Sequence, residues 1–153
     1  MVTFDIKNLN IWFDSTQALK DVSMQVLPNE ILSIIGPSNS GKTTFLRMLN
    51  RLSDLNAHFK MSGDVWFDDE DIKKIDVELL RRKIGMVFAL PLPLPLSIFD
   101  NVAYGMKMAG IKNTNSIKKG VENALKQAYL WEEVKARMNE SAFKLSGGQQ
   151  QRL

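Results

Sequence analysis

Gly36-Pro37-Ser38-Asn39-Ser40-Gly41-Lys42-Thr43 decides how this chain is read. A glycine, four residues, then Gly-Lys-Thr is the spacing of a phosphate-cradling loop. Upstream, Ile31, Leu32, Ile34 and Ile35 form a short, nearly continuous apolar run. Such a run predicts a strand buried on both faces in a parallel sheet. Downstream of Gly41 a helix pattern begins, with Phe45, Leu46, Leu49 and Leu52 on one side. Strand, glycine loop and helix is the setting the chemistry needs. Glycines let the backbone curl so that consecutive N–H groups face phosphate oxygens. The helix start adds its positive end. Lys42 is placed to reach the outer phosphates, and the Thr43 hydroxyl to ligate Mg²⁺. By itself the loop points to a nucleoside triphosphate and to no particular machine.

Before the loop, Phe4, Ile6, Leu9, Ile11 and Phe13 alternate with one slip of register, which predicts a half-buried strand over 3–13. Leu19, Val22, Met24 and Val26 predict a second strand over 18–26, closed by a turn at Leu27-Pro28-Asn29-Glu30. After a loop at 53–60, Val65-Trp66-Phe67 reads as a strand, Asp68-Asp69 as a turn, 77–82 as a helix and 84–88 as another apolar strand. Pro91, Pro93 and Pro95 then exclude helix and impose an extended segment. Helices follow over 101–109 and 116–128, the latter with Ile117, Val121, Leu125 and Ala128 on one face. The expected organisation is an α/β first part, 1–88, and a helical second part, 89–153, with no internal repeat.

Composition narrows the class. The 153 residues are 44% hydrophobic and 24% charged, ordinary globular usage that excludes a disordered or collagen-like chain. No apolar run approaches the ~20 residues that cross a bilayer. No secretory leader is readable at the N-terminus. Absence of cysteine excludes disulfides and thiolate metal sites and suits a reducing compartment. Residues 109–144 hold seven basic and four acidic groups, the whole of the formal charge of +3. Either this is a solvated helical face or it lies near anionic lipid or a partner. Basic runs interleaved with aromatics are missing, which argues against a nucleic-acid partner. His58, the single histidine, reads as a loop residue.

A second motif, Leu145-Ser146-Gly147-Gly148-Gln149, stands about a hundred residues after the first. Alone it reads as a helix N-cap with a flexible entry. Following a phosphate loop at this distance, it resembles the signature of ATP-binding-cassette (ABC) ATPases. The resemblance implies an ABC nucleotide-binding domain: a P-loop NTPase α/β core with an antiparallel β part and an inserted helical subdomain. It is closest to the ATP-binding subunits of phosphate importers. Pro91 through Val102, Leu130-Trp131-Glu132-Glu133-Val134-Lys135, Ser141-Ala142 and Met48-Leu49-Asn50-Arg51-Leu52 are similar to that subfamily.

The resemblance implies ATP and Mg²⁺ as ligands. Its nucleotide contacts would be Gly36, Pro37, Ser38, Asn39, Ser40, Gly41, Lys42, Thr43 and Thr44, with Thr43 on the metal. Phe13, with Trp12 beside it, takes the place of the aromatic that stacks on adenine, or both rings are ordinary sheet residues. Two domains would pair head to tail, so that Ser146, Gly147, Gly148 and Gln149 of one close on the nucleotide of the other. Membrane permease subunits would be the further partners, which implies a cytoplasmic protein held peripherally at the inner face of the cell membrane. Leu92, Leu94 and Leu96 either serve that contact or pack their own loop.

Two departures from the pattern qualify these expectations. The glutamine that follows the strand ending at Phe88 in the family is Ala89 here, with neither donor nor acceptor. The family's Walker B aspartate, catalytic glutamate and switch histidine lie beyond the signature, where this sequence stops, as expected of a truncated reading frame. No complete catalytic set is therefore expected, and this chain alone is expected to be inactive. The run 31–35 would then present an unpaired apolar edge, an aggregation liability. Three readings follow: a transport ATPase subunit; a non-hydrolysing module or pseudo-ATPase fragment that pairs with a complete cassette; and a soluble ABC ATPase of DNA repair or translation. The proline-rich segment and the lack of coiled-coil heptads argue against the third.

Overall fold

The computed structural model describes residues 3–153, which divide into two compact units meeting between Met86 and Val87. In the first, β1 (Phe4–Phe13) pairs antiparallel with β2 (Thr16–Val26) and with β3 (Phe59–Phe67), and β3 pairs with β4 (Glu70–Asp71). The strand order is β2-β1-β3-β4. The slip in the β1 alternation is a bulge: register shifts between Ile6 and Leu9 against β2 and between Lys7 and Asn10 against β3. Asn8 absorbs it at φ 50°. The extra residue returns Leu9 and Ile11 to the face already taken by Phe4 and Ile6, and all four are buried. Gly63 opposite permits this, because a Cβ there would lie 2.4 Å from the Asn8 carbonyl oxygen.

Helix α1 (Lys42–Leu49) lays Phe45 and Met48 into the same core, together with Val65, Phe67, Ile72 and Leu80. Leu46, expected on the inner face, is 44% exposed. A face three residues wide at Phe45 and Met48 leaves Leu46 on the far side of the helix. The C-terminal end of α1 is held by guanidinium groups: Arg81 donates to the carbonyls of Asn50 (3.2 Å) and Arg51 (2.8 Å), and Arg51 donates to Ile75 O (2.9 Å). Cations at a helix C-terminus are favourable with its dipole. Helix α2 (Val77–Lys83) starts at Asp76, whose carboxylate accepts from the N–H groups of Glu78 and Leu79.

Two strands expected from the sequence do not form. Residues 31–35 form no strand, and Ile31 and Ile35 are 97% and 93% exposed. Residues 84–88 form none either, with Val87 81% exposed. Both runs carry the pattern of strands covered on two faces, but such a strand needs hydrogen-bonded neighbours. The described sheet consists of β1–β4 alone and pairs with neither run. Residues 32–37 instead border an apolar hollow of about 520 Å³ that is also lined by Leu19, Val22 and Met24 of β2 and Phe45 of α1.

The second unit is helical. Helix α3 (Ile98–Met108) is capped by Ser97, α4 (Thr114–Gln127) by Asn113, and two short helices follow, α5 (Trp131–Val134) and α6 (Gly147–Arg152). Ile98, Ala103, Ile117, Val121, Leu125, Leu130, Val134 and Leu145 form its core. The proline-rich segment 91–96 forms neither helix nor strand, in keeping with its prolines. Asn101 fastens it: the side-chain amide donates to the carbonyls of Leu94, Leu96 and Ser97 and accepts from Leu94 N–H. Leu96 O in turn accepts from Ala142 N–H at 3.1 Å, linking the segment to the approach to the signature motif. Among the described residues no helix is long and apolar enough to cross a membrane.

Candidate nucleotide site

The Gly36–Thr43 loop leads directly into α1. Asn39 sits at φ 64° and Gly41 at φ 88°. Gly41 is required twice over. Its backbone is left-handed, and a Cβ on it would stand 2.7 Å from the Ala18 carbonyl and 2.5 Å from Leu19 Cδ2. The loop is thereby pressed against β2. The first helical bond runs from Phe45 N–H to Gly41 O at 2.8 Å, so the N–H groups of Lys42, Thr43 and Thr44 precede the ladder. The first turn of α1 contains no acidic residue.

Lys42 folds back over the loop. Its ammonium donates to Pro37 O (2.6 Å) and Gly36 O (2.9 Å) and lies 3.4 Å from Ser40 Oγ. Beside it is a hollow of about 250 Å³ lined by Ala18, Asn39, Ser40, Gly41, Lys42, Thr43 and Thr44. Its lining offers an ammonium, backbone N–H groups and hydroxyls, and no carboxylate. That donor set suits a polyphosphate. It also suits Mg²⁺ carried on phosphate, since this ion keeps several waters and needs few protein ligands. The hydroxyl of Thr43, exposed at the helix start, is the candidate ligand. Among the described residues no cluster of three or more His, Cys, Asp or Glu side chains is placed to hold a metal on its own.

Phe13 stands at the end of β1, paired with Thr16 and packed on Phe59 with ring centroids 5.9 Å apart. It is half-buried and does not line the hollow; Ala18, two residues beyond its partner on β2, does. His58 is exposed in a turn, its Nδ1 2.6 Å from Asp14 Oδ1. Ala89 lies in an exposed bend.

Ser146, Gly147, Gly148 and Gln149 belong to the second unit. Ser146 caps α6 through a reciprocal box: its hydroxyl accepts from Gln149 N–H, and Gln149 Oε1 accepts from Ser146 N–H at 2.9 Å. The Gln149 amide donates to Glu133 Oε2 at 2.8 Å, and Arg152 pairs with Glu133 Oε1 at 2.8 Å. The Gln149 bond first, and Arg152 after it, hold the Glu133 carboxyl below its ordinary range. Sequence reading reached the cap but missed Glu133, Arg152 and the lining role of Ala18. The Ser-x-x-Gln spacing was the one local signal for the box.

The chain, with its glycine loop leading into α1 and its capped Ser-Gly-Gly-Gln helix, matches one family model, ABC transporter, over residues 19–153. The chain belongs to the ABC transporter family. Its fold is that of ABC nucleotide-binding domains, mixed α/β with an antiparallel sheet. The structure of cbiO1 from Clostridium perfringens, part of the ABC transporter complex cbiONQ, aligns with TM-score 0.78 at 27% identity, over 99% of this chain and 58% of that one. A bacterial Atm1-family ABC exporter with ATP bound aligns with TM-score 0.81 at 25% identity, over 97% of this chain and 26% of the exporter. Among curated relatives, the phosphate import ATP-binding protein PstB of Bacteroides fragilis is 47% identical over 99% of this chain. PstB 1 of Streptococcus agalactiae is 45% identical over 97%. The ABC chain described here spans 61% and 60% of those two proteins.

Proposed function

We propose that this chain is the nucleotide-binding part of the ATP-binding subunit of an ABC importer for phosphate or a similar oxyanion. The observation that carries the reading is a carboxylate-free hollow at Asn39–Thr44 in a chain that is 47% identical, over 99% of its length, to a phosphate import ATP-binding protein. In this reading residues 1–88 are the α/β core and 89–153 the helical subdomain. The backbone of Gly36–Thr44 wraps the phosphates of ATP. Lys42 leaves the carbonyls of Gly36 and Pro37 for the outer phosphates, and Thr43 ligates Mg²⁺. Phe13 stacks on adenine. Two such domains associate head to tail, and Ser146, Gly147, Gly148 and Gln149 of one complete the site of the other. Permease subunits hold the pair at the cytoplasmic face of the cell membrane, with the 89–105 region, including Leu92, Leu94 and Leu96, as the contact.

Binding and turnover separate in this chain. Ala89 has no group to orient a water. Phosphoryl transfer depends on positioning and on charge stabilisation. Loss of acid–base assistance costs roughly 10²–10⁴ in rate. Ala89 therefore favours a second reading for the chain by itself, a nucleotide-binding module that lends its signature to a complete cassette. Phosphate release from Mg-ATP by the purified chain tests the separation. Release at background is expected, and sustained release that Lys42→Ala abolishes would overturn it.

A further inference from the structure

Helix α6 buries none of its residues, and six residues are too few to be stable on propensity alone. Its orientation is therefore set by polar ties, beside the packing of its C-cap Leu153 against the core. Gln150 donates to Leu145 O (3.0 Å), which fixes the helix to its own approach. The remaining ties reach the Glu133 carboxylate and the Tyr129 carbonyl. Glu133 lies on α5 between Leu130 and Val134, both fully buried, so its backbone is anchored in the core. Its Oε2 accepts from the Gln149 amide and its Oε1 from Arg152, which also donates to Tyr129 O at 2.7 Å.

We propose that Glu133 is a positioning residue for the signature motif: its carboxylate fixes the orientation of the Gln149 amide and, through it, the backbone of Ser146. The chemistry runs one way. A glutamine amide carries a donor end and an acceptor end, whereas an ionised carboxylate only accepts. Facing Glu133, Gln149 must turn its NH₂ toward the carboxylate. Its Oε1 then points at Ser146 N–H, where the 2.9 Å bond is found. Flipped, the amide would set two donors against each other and open the capping box. The same logic explains why glutamine stands at this position. In an isolated helix a glutamate three residues after a serine cap serves equally well and favours the helix dipole. Here it would place two carboxylates within hydrogen-bonding distance. The functional weight of this arrangement rests on the role proposed for Ser146, but the geometry does not.

The test is a mutant cycle read in the nucleotide-free 153-residue chain by ¹⁵N NMR, so a failure to bind ATP would leave it interpretable. Gln149→Glu should speed hydrogen exchange at Ser146 N–H by up to about tenfold, the upper end expected for losing a bond between neutral groups. Glu133→Gln combined with Gln149→Glu, which restores one donor and one acceptor in exchanged places, should return that rate to near its parent value. Glu133→Ala should move the Gln149 side-chain NH₂ resonances to free-amide positions. The unfolding midpoint should stay unchanged in all three, because Leu130 and Val134 are untouched. The proposal is overturned if Gln149→Glu leaves Ser146 protection intact, if the double variant fails to restore it, or if the NH₂ resonances ignore Glu133→Ala.

Discussion

Replacing Gly41 by alanine perturbs the phosphate loop at its tightest point. The residue sits at φ 88°, where an L side chain costs about 1–2 kcal/mol. The added Cβ would meet a backbone oxygen, Ala18 O, at 2.7 Å, and that atom cannot rotate away. Forcing an extra carbon into a packed site costs about 1–3 kcal/mol more. The sum, roughly 2–5 kcal/mol, is a large share of the ~5–15 kcal/mol that holds an ordinary domain folded. With a urea slope of about 2 kcal/mol/M, the unfolding midpoint should fall by roughly 1–2.5 M. Trp12 and Trp66, on β1 and β3 of the same unit, report it by fluorescence. Gly85→Ala is the control, since a Cβ there has no neighbour within 4 Å. Strain of this size also lifts the loop off β2, so nucleotide affinity should fall with it. A midpoint for Gly41→Ala equal to that of Gly85→Ala would refute the reasoning.

Three further outcomes are expected. Lysine at both Ile31 and Ile35, which are almost fully exposed, should reduce concentration-dependent light scattering without lowering the unfolding midpoint. Asn101→Ala removes four hydrogen bonds that fasten the proline-rich segment and should speed amide exchange at Leu94 and Ala142, with a stability loss of about 1–3 kcal/mol by urea unfolding. The Lys107 hydrogen bond, and after it the Ser97 hydroxyl, hold Asp100 below its ordinary value of 3.8. A depressed carboxyl contributes stability that is complete above its unfolded value and is lost as pH falls through the folded one. Asp100→Asn should therefore flatten the decline in helical-unit stability below about pH 4, measured by circular dichroism.

What was legible in the sequence followed from short-range rules. The β1 alternation announced a strand, and its single slip is the bulge at Asn8. The glycine loop was legible because all but one of the residues lining its hollow are contiguous, 39–44; the exception, Ala18, comes from β2. The helix patterns over 101–109 and 116–128 were read for the same reason, from one turn to the next. The apolar runs 31–35 and 84–88 misled because their pattern specifies neighbours, and the described strands supply none. Leu46 was misassigned because the inner face of α1 is fixed by where Phe45 and Met48 meet the sheet, a tertiary choice. Glu133 and Gln149 are sixteen positions apart on different helices, and Asn101 acts on backbone carbonyls. Neither tie leaves a mark in periodicity or composition.

The most direct measurement is calorimetric titration of the purified chain with Mg-ATP, beside Lys42→Ala. Losing one charged contact to phosphate should weaken binding by roughly 1.5–3 kcal/mol, about 10- to 100-fold. The expected result is binding by the parent chain that Lys42→Ala weakens by at least that factor. No binding by the parent chain, or equal binding by both, would contradict the assignment of Gly36–Thr44 as a nucleotide cradle.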